Sequence, residues 1–486
     1  ARNTHTSLIK ANKQVLALLP LFPLESDERQ IMRVFAHFLP QLLHAYGLRH
    51  QDVEEACSLL SQGKWKQLWE KALARAAAQR AKTEQNPAVE RQRTSKEKDV
   101  YARKCATAGN LSKACKIVCQ EQIAACNDDT IQQLRDLHPQ RPLNLNLEQL
   151  PSPDELAEFW EGEDGRTILN KWFSLSKIRK YFRTRPALGA ADIDGWRGRE
   201  HVSFLFQNND QELHQLIIDE LILPYVLGTL HPKFLPEYAG GVLLAFLKPG
   251  GGIRPLLCGS IWRRCAARLI CDYLRESAHK YFTTTYPNYM QCAGGHPDGA
   301  TACAQLLNML HDLPSEDPDN PATFINTDVR NAFNETCRQT TFDTLMGKAT
   351  RTYDDGNVSP GDPIPTINGL WPFMGYFAAM RSTASTNRYT DHHGRTHIID
   401  GVAGGQQGDP LEMMLFCMTV HAIWGRTLHR HSTARAAAYA DDAYIYDTLH
   451  SALKVFVDIR QRLAEDADLH MNLSKCQIYI PGVSLE

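Results

Sequence analysis

Two adjacent aspartates, Asp441 and Asp442, sit in the stretch RAAAYADDAYIYD, between two short runs that alternate small, apolar and aromatic residues. The pattern predicts a β-hairpin with the carboxylates at its tip. Aspartate is a ready turn former, so such a tip needs no chemistry by itself. Paired carboxylates nevertheless repel, a divalent cation relieves that repulsion, and hard oxygen donors suit Mg²⁺. A metal site calls for a third carboxylate, and ATFINTDVRNAFNETCRQ supplies one. Thr323 to Val329 reads as a strand launched from SEDPDNP, with a helix after it over NAFNETCRQTTFDTL, so Asp328 stands at the strand's end. Two strands presenting Asp328 and Asp441 would form a two-metal site, one ion activating a hydroxyl and the other steadying a leaving oxygen.

Between these carboxylates lies GVAGGQQGDPLEMMLFCMTVHAIW. Gly404, Gly405 and Gly408 predict a flexible loop. Asp409, Pro410 and Glu412 then fit N-cap, N1 and N3 of a helix, a capping box with proline where its missing N–H costs nothing. A capped core helix accounts for everything from Asp409 onward. It leaves open why Gln406 and Gln407 stand in a glycine loop, where backbone approaches a flat ligand and an amide can bond a base or sugar.

The elements that must position these groups belong to a chain of 486 residues, 22% charged and 43% hydrophobic, the composition of a globular protein with two or three domains or subdomains. A net charge of −2 gives no overall signal for nucleic acid, so a basic footprint must be local. No uncharged apolar run reaches membrane-spanning length, and the start lacks the pattern of a signal peptide. Thirteen scattered cysteines suit a reducing, intracellular setting, nucleus or cytoplasm, better than a disulfide framework. Cys105, Cys115, Cys119 and Cys126 have no C-x₂-C pair and read as buried thiols before they read as zinc ligands. From Lys64 to Lys116 basic residues outnumber acidic ones, with Trp65 and Trp69 four apart on one helix face. Such a run is either a phosphate-tracking arm or a solvated face. LPSPDELAEFW predicts a linker and a new helix capped by Ser152 with Glu155, placing a boundary near residue 150.

The ordered motifs DVRNAF, QGDPL, YADD and NLSKC resemble the palm of reverse transcriptases, and LKPGGGIRPLLCGSIWRRCAARLI resembles their fingers. The similarity runs from about Leu188 to Cys476, and ALGAADIDGW gives it the character of non-LTR retrotransposon polymerases. The resemblance implies an α/β right-hand polymerase: a mostly helical N-terminal extension over 1–150, fingers over 165–320, and a palm over 321–486 whose antiparallel sheet is backed by helices. It implies that Asp328, Asp441 and Asp442 are catalytic metal ligands for two Mg²⁺ ions, with Mn²⁺ as a substitute. Phe333, five residues beyond Asp328, matches the ring that excludes a ribose 2′-hydroxyl. Gln407 and Gly408 match the loop that contacts the incoming nucleotide and template. Lys475 matches the lysine that protonates departing pyrophosphate. Lys248 and Arg254, with Arg264 as a further companion, would hold triphosphate oxygens.

The implied reaction is RNA-templated DNA synthesis from an RNA template, a DNA or RNA primer and dNTPs, with no membrane partner. The sequence stops at Glu486, some ten residues after NLSKC, with no thumb, RNase H or endonuclease segment. That pattern resembles a fragment or decayed copy of a larger open reading frame. An RNA-dependent RNA polymerase shares the paired aspartates, but Phe333, Gln407 and YADD speak against it. A domesticated, non-catalytic nucleic-acid-binding protein could keep the core without the carboxylates. Telomerase-like and group II intron-like enzymes share the palm as well.

Overall fold

In a computed structural model of the chain, the described residues are 2–23, 26–46, 50–85, 123–184, 193–196, 210–248, 251–312, 321–348 and 363–481, with isolated positions at 100, 103, 202, 205 and 206. Two sheets organise the second half. A four-stranded sheet runs in the order β2-β1-β5-β6, where β1 is Gly241–Leu247, β2 Ile253–Gly259, β5 Ser385–Thr390 and β6 Thr396–Gly401. A five-stranded sheet runs β3-β7-β8-β4-β9, with β3 Tyr289–Gln291, β4 Ala322–Thr327, β7 Arg435–Tyr439, β8 Asp442–Thr448 and β9 Gln477–Tyr479. Both sheets are therefore mixed. β1 pairs β5 in parallel, and β3 pairs β7 in parallel at Tyr289↔Ala436, which corrects the expectation of a wholly antiparallel second sheet. The reason is topological: a hairpin turn forces antiparallel neighbours, whereas β3 and β7 are joined through long helical connections that leave their direction free.

Strand pairing also crosses residue 321. β3 comes from the preceding segment but joins the five-stranded sheet, while β5 and β6 come from the following segment and join the sheet of β1 and β2.

The helices supply most of the core. Four begin the chain, α1 Arg2–Leu18, α2 Asp27–Tyr46, α3 His50–Ser61 and α4 Trp65–Gln85. They dock on the body through the Gln211–Leu227 helix, which opens into a π turn over Ile218–Ile222 and buries Glu220 between Arg29 and Arg33 of α2. Lys13 adds an ion pair to Asp210 at 2.8 Å. Trp65 packs edge-on against Phe35, with centroids 5.1 Å apart, whereas Trp69 stays 50% exposed, so the two tryptophans do not share one environment. Of the cysteine group, only Cys126 lies within the described residues, and it is a free thiol.

The boundary near 150 has the predicted local chemistry. Ser152 and Glu155 form a reciprocal capping box at the start of a helix over Pro153–Glu161. The helix expected from Asp409 begins three residues later, as Glu412–Arg430. Asp409 still accepts from the Leu411 N–H at 3.0 Å, but Glu412 turns inward to pair with buried Arg381 and is unavailable for a capping box. The helix expected after Asp328 is likewise split, into Ala332–Glu335 and Arg338–Leu345, because the backbone of the glycine loop docks at the break.

Among the described residues no single helix is long and apolar enough to cross a membrane. A bent pair, Gln211–Leu227 with Pro232–Ala239, has the composition only when taken together, and its Leu213, Ile217, Leu221 and Tyr225 are buried in the core.

Glu412–Arg430 carries fully buried His421 into a box of rings from Tyr281, Phe282, Tyr286 and Tyr289, with centroids 4.9 to 5.1 Å away. Burial lowers its pKa to about 3, and burial likewise lowers that of His37 to about 4. Both must stay neutral to remain inside, so their stabilisation is present above the ordinary histidine pKa and is lost as pH falls from about 6.5 toward 3–4. Acid titration followed by circular dichroism should show unfolding that begins below pH ~6. His421→Phe, which keeps a ring of similar size, should move the acid midpoint to lower pH. An unmoved midpoint would mean that His421 protonates without cost.

Candidate active site

β7 and β8 form a hairpin that closes in two residues, Ala440 and Asp441, since Tyr439 pairs with Asp442. Ala440 has φ +59°, and a positive φ at the first central position alone is the pattern of a type II′ turn, where glycine is usual. An alanine in this conformation is strained unless its surroundings over-determine it. Gln291 does so from the neighbouring β3. Its side-chain carbonyl accepts from the Ala440 N–H at 3.0 Å, and its amide donates to the Ala440 carbonyl at 3.1 Å. Gln291 is fully buried, so both backbone groups of the turn are satisfied away from water.

β4 pairs with β8 as far as Thr327↔Ala443, and the next step of that register sets Asp328 beside Asp442. Residues beyond β4 are tied down by the NLSKC segment. The Asn472 N–H donates to the Asp328 carbonyl at 2.8 Å, Arg330 N–H to His470 at 2.9 Å, and Val329 bridges Met471. The same segment brings Lys475 Nζ to 3.6 Å from Asp328 Oδ2, in an open setting. From the other sheet, the β1–β2 turn, closed by the Lys248 N–H to Gly252 at 3.1 Å, aims Lys248 toward the same place.

The charges of these groups act on one another. Burial chiefly, then the charges of Asp442 and Asp328, push the Asp441 carboxyl up to about 6, while Lys248 pulls it down. Asp442, at the strand start, keeps an exposed outer edge, while partial burial of its carboxyl and the charge of Asp328 raise its pKa and Lys475 lowers it. Lys248 is lowered by burial and by Lys475 and Arg254, and raised by Asp328 and Asp441. The structure therefore gathers Asp328, Asp441, Asp442, Lys248, Arg254 and Lys475. Among the described residues no three His, Cys, Asp or Glu side chains stand close enough to grip a metal ion as they are. The donors nevertheless have the right chemistry for a hard divalent cation: oxygen ligands, mutual repulsion, and one carboxylate held above its usual pKa chiefly by burial and further by its acidic neighbours.

The glycine loop is a separate, pinned structure rather than a flexible one. Gly404, at φ +56°, lies so close that a Cβ there would stand 2.3 Å from the Phe333 carbonyl, and a Cβ on Gly408, at φ +115°, would stand 2.4 Å from the Leu257 carbonyl. Gly405 N–H donates to Phe333 at 2.7 Å, and the Gln407 carbonyl accepts from Leu257 N–H at 2.8 Å. Gln406, a candidate for bonding a base, spends its amide inside the protein, donating to Ala239 at 2.6 Å and accepting from Arg263 at 2.9 Å. Phe333 is half-buried with its ring 4.8 Å from that of Phe416. Buried Arg338 bonds the carbonyls of Gly401, Gly404, Arg381 and Thr383 at 2.8 to 3.0 Å. Gln291, Arg263 and Arg338 were invisible as site residues in the sequence, because the groups they hold lie up to 149 positions away.

No family model and no curated protein matches the chain. Among solved structures it is similar to apo telomerase from Candida tropicalis, at 9% identity and TM-score 0.36 over 73% of this chain and 72% of that one. It is similar to the same telomerase truncated from its C-terminal domain, at 10% and 0.36 over 82% and 90%. It is also similar to telomerase from Candida albicans in complex with a TWJ fragment of telomeric RNA, at 10% and 0.32 over 74% and 76%. Likeness at that level decides neither fold nor function.

Gln291→Leu keeps the side-chain size but strands the buried N–H and C=O of Ala440. It also frees the Ala293 N–H and should cost about 2–6 kcal/mol by denaturant titration, at ~1–3 kcal/mol for each of the two stranded Ala440 groups. A cost below ~1 kcal/mol would mean that the turn holds itself.

Proposed function

We propose that the chain is a reverse-transcriptase-like nucleotidyltransferase of the non-LTR retrotransposon type, extending a primer with dNTPs on an RNA template. The observation that carries this reading is the placement of Asp328 just past β4, one register step from Asp442, and of Asp441 in the β7–β8 turn, with Lys475 Nζ 3.6 Å from Asp328 Oδ2. Asp328, Asp441 and Asp442 would hold two Mg²⁺ ions, which when bound supply counter-charge and lower the pKa of an attacking 3′-hydroxyl. Lys248 and Arg254 bind triphosphate oxygens, Arg254 through its forked donors and Lys248 as a point charge. Lys475, solvent-exposed beside Asp328, delivers a proton from Nζ to the departing pyrophosphate. Gln407 and Gly408 line the nucleotide and template side through backbone. The Phe333 ring denies a ribose 2′-hydroxyl both space and a polar partner.

Metal binding is testable without turnover. At pH 7, Mg²⁺ should raise the melting temperature of the wild type and leave Asp441→Asn unmoved, because the amide keeps the shape and loses the charge. In metal-free buffer the substitution should be neutral or stabilising by roughly 1 kcal/mol, discounted for the partial exposure of the carboxylate. A primer-extension assay on an RNA template should then give product with wild type and none with Asp441→Asn. Equal Mg²⁺ response and equal extension in both proteins would return the aspartates to turn formation and favour a non-catalytic nucleic-acid-binding protein.

Sugar choice separates a DNA polymerase from an RNA polymerase. Phe333→Ala should raise the kcat/KM of a matched rNTP relative to its dNTP by more than the ~10–200-fold that one methylene-sized contact controls. An unchanged ratio would leave Phe333 as a packing partner of Phe416, and a wild type that prefers rNTPs would point to an RNA polymerase.

A further inference from the structure

A groove that shares no lining residue with the carboxylate site carries chemistry that the proposed reaction does not use. It opens between α5, Leu175–Arg183, together with the end of the preceding Glu163–Trp172 helix, and α6, Ile261–Thr284, with a volume of about 540 Å³. That size lies within the usual range of ligand sites. Lys177 and Lys180 of α5 and Arg268 and Arg275 of α6 line it, against one carboxylate, Asp272. Among the described residues neither lysine pairs with an acid, whereas Asp272 is shared by Arg268, at 3.2 Å, and Arg275. A guanidinium has five donors, so one shared carboxylate leaves both arginines able to bind a second anion. The wall carries a flat surface as well. Trp172 is half-buried, and Lys177 Nζ rests 4.6 Å from its ring centroid.

The site is separate from the glycine loop. Arg263, five residues before Arg268 and so on another face of α6, points to Gln406.

We propose that this groove binds single-stranded RNA, with phosphates on the four cations and one base stacked on Trp172. The choice of RNA as the strand rests on the RNA-templated reading above. The groove's own chemistry selects for an anion that also has aromatic faces. An exposed cation–π contact is weaker than base–aromatic stacking, so an arriving base takes the ring while the released Lys177 ammonium moves to a phosphate. An acidic peptide would match the charge but leave the ring with its lysine.

The test uses the full chain and a labelled RNA oligonucleotide of about ten nucleotides, with affinity followed by fluorescence anisotropy across a salt series. Both lysines are exposed, so Lys177→Ala/Lys180→Ala should fold normally. The double variant should flatten the slope of log K against log salt by about 1.4, at ~0.7 for each phosphate contact on a single strand. Trp172→Ala should weaken binding about 5–150-fold without changing that slope, and Trp172→Phe should fall between. An unchanged slope in the double variant would overturn the groove. Polyglutamate displacing the RNA at equal charge concentration would replace it with an acidic-polypeptide site. A DNA oligonucleotide of the same sequence binding equally well would overturn the choice of RNA. Primer extension is measured alongside. Lysine-dependent binding without extension leaves the groove standing while the polymerase reading falls, and extension with lysine-independent binding does the reverse.

Discussion

Burying three guanidinium groups obliges the chain to surround them with acceptors, and that obligation fixes the junction between the two sheets. Arg263 and Arg338 are held mainly by backbone carbonyls, at Tyr238, Ala239 and Gly240 for the first, with Asp409 3.4 Å from its Nε, and at Gly401, Gly404, Arg381 and Thr383 for the second. Arg381 is neutralised by Glu412. A buried charge with an unsatisfied donor would cost several kcal/mol, so these carbonyls cannot drift. They belong to the end of β6, the glycine loop and the segment leading into β1, which are thereby held in one arrangement. Glu412 is drawn away from helix capping for this purpose.

The same logic explains what was legible in the sequence. The hairpin, the strand leading to Asp328 and the cap at Ser152 all depend on residues within a few positions of one another, and each appears where the local pattern placed it. The start at Glu412 and the break at Thr336 depend on partners brought in from elsewhere: Arg381 for the first, Gly404 for the second. Of the candidate site, the charged residues were readable because their types and order are distinctive. Gln291 was not, since a lone amide in YMQ has no meaning until the turn at Ala440 is packed against it.

The carboxylate cluster combines a rigid seat with an unfavourable charge distribution. Gln291 fixes the turn, the NLSKC segment fixes the end of β4, and the pleat sets Asp328 and Asp442 opposite each other. Backbone geometry thus sets which carboxylates face one another, and part of their mutual repulsion comes with the fold.

The interleaving of the sheets has a bearing on how the chain can be made and divided. On the side of β1 away from β2, the Ile123–Ala124 segment covers the Ala245–Phe246 end, but the Gly241–Val242 end stays unpaired during synthesis until residues beyond 385 have left the ribosome. An uncovered strand edge invites pairing with another chain. Any shortened version ending near residue 320 would leave the Gly241–Val242 end of β1 unpaired permanently, and would also hold β3 without β7, its partner in the five-stranded sheet. A piece that keeps both sheets must therefore run through both crossings, so the chain cannot be divided between its sheets without breaking one of them.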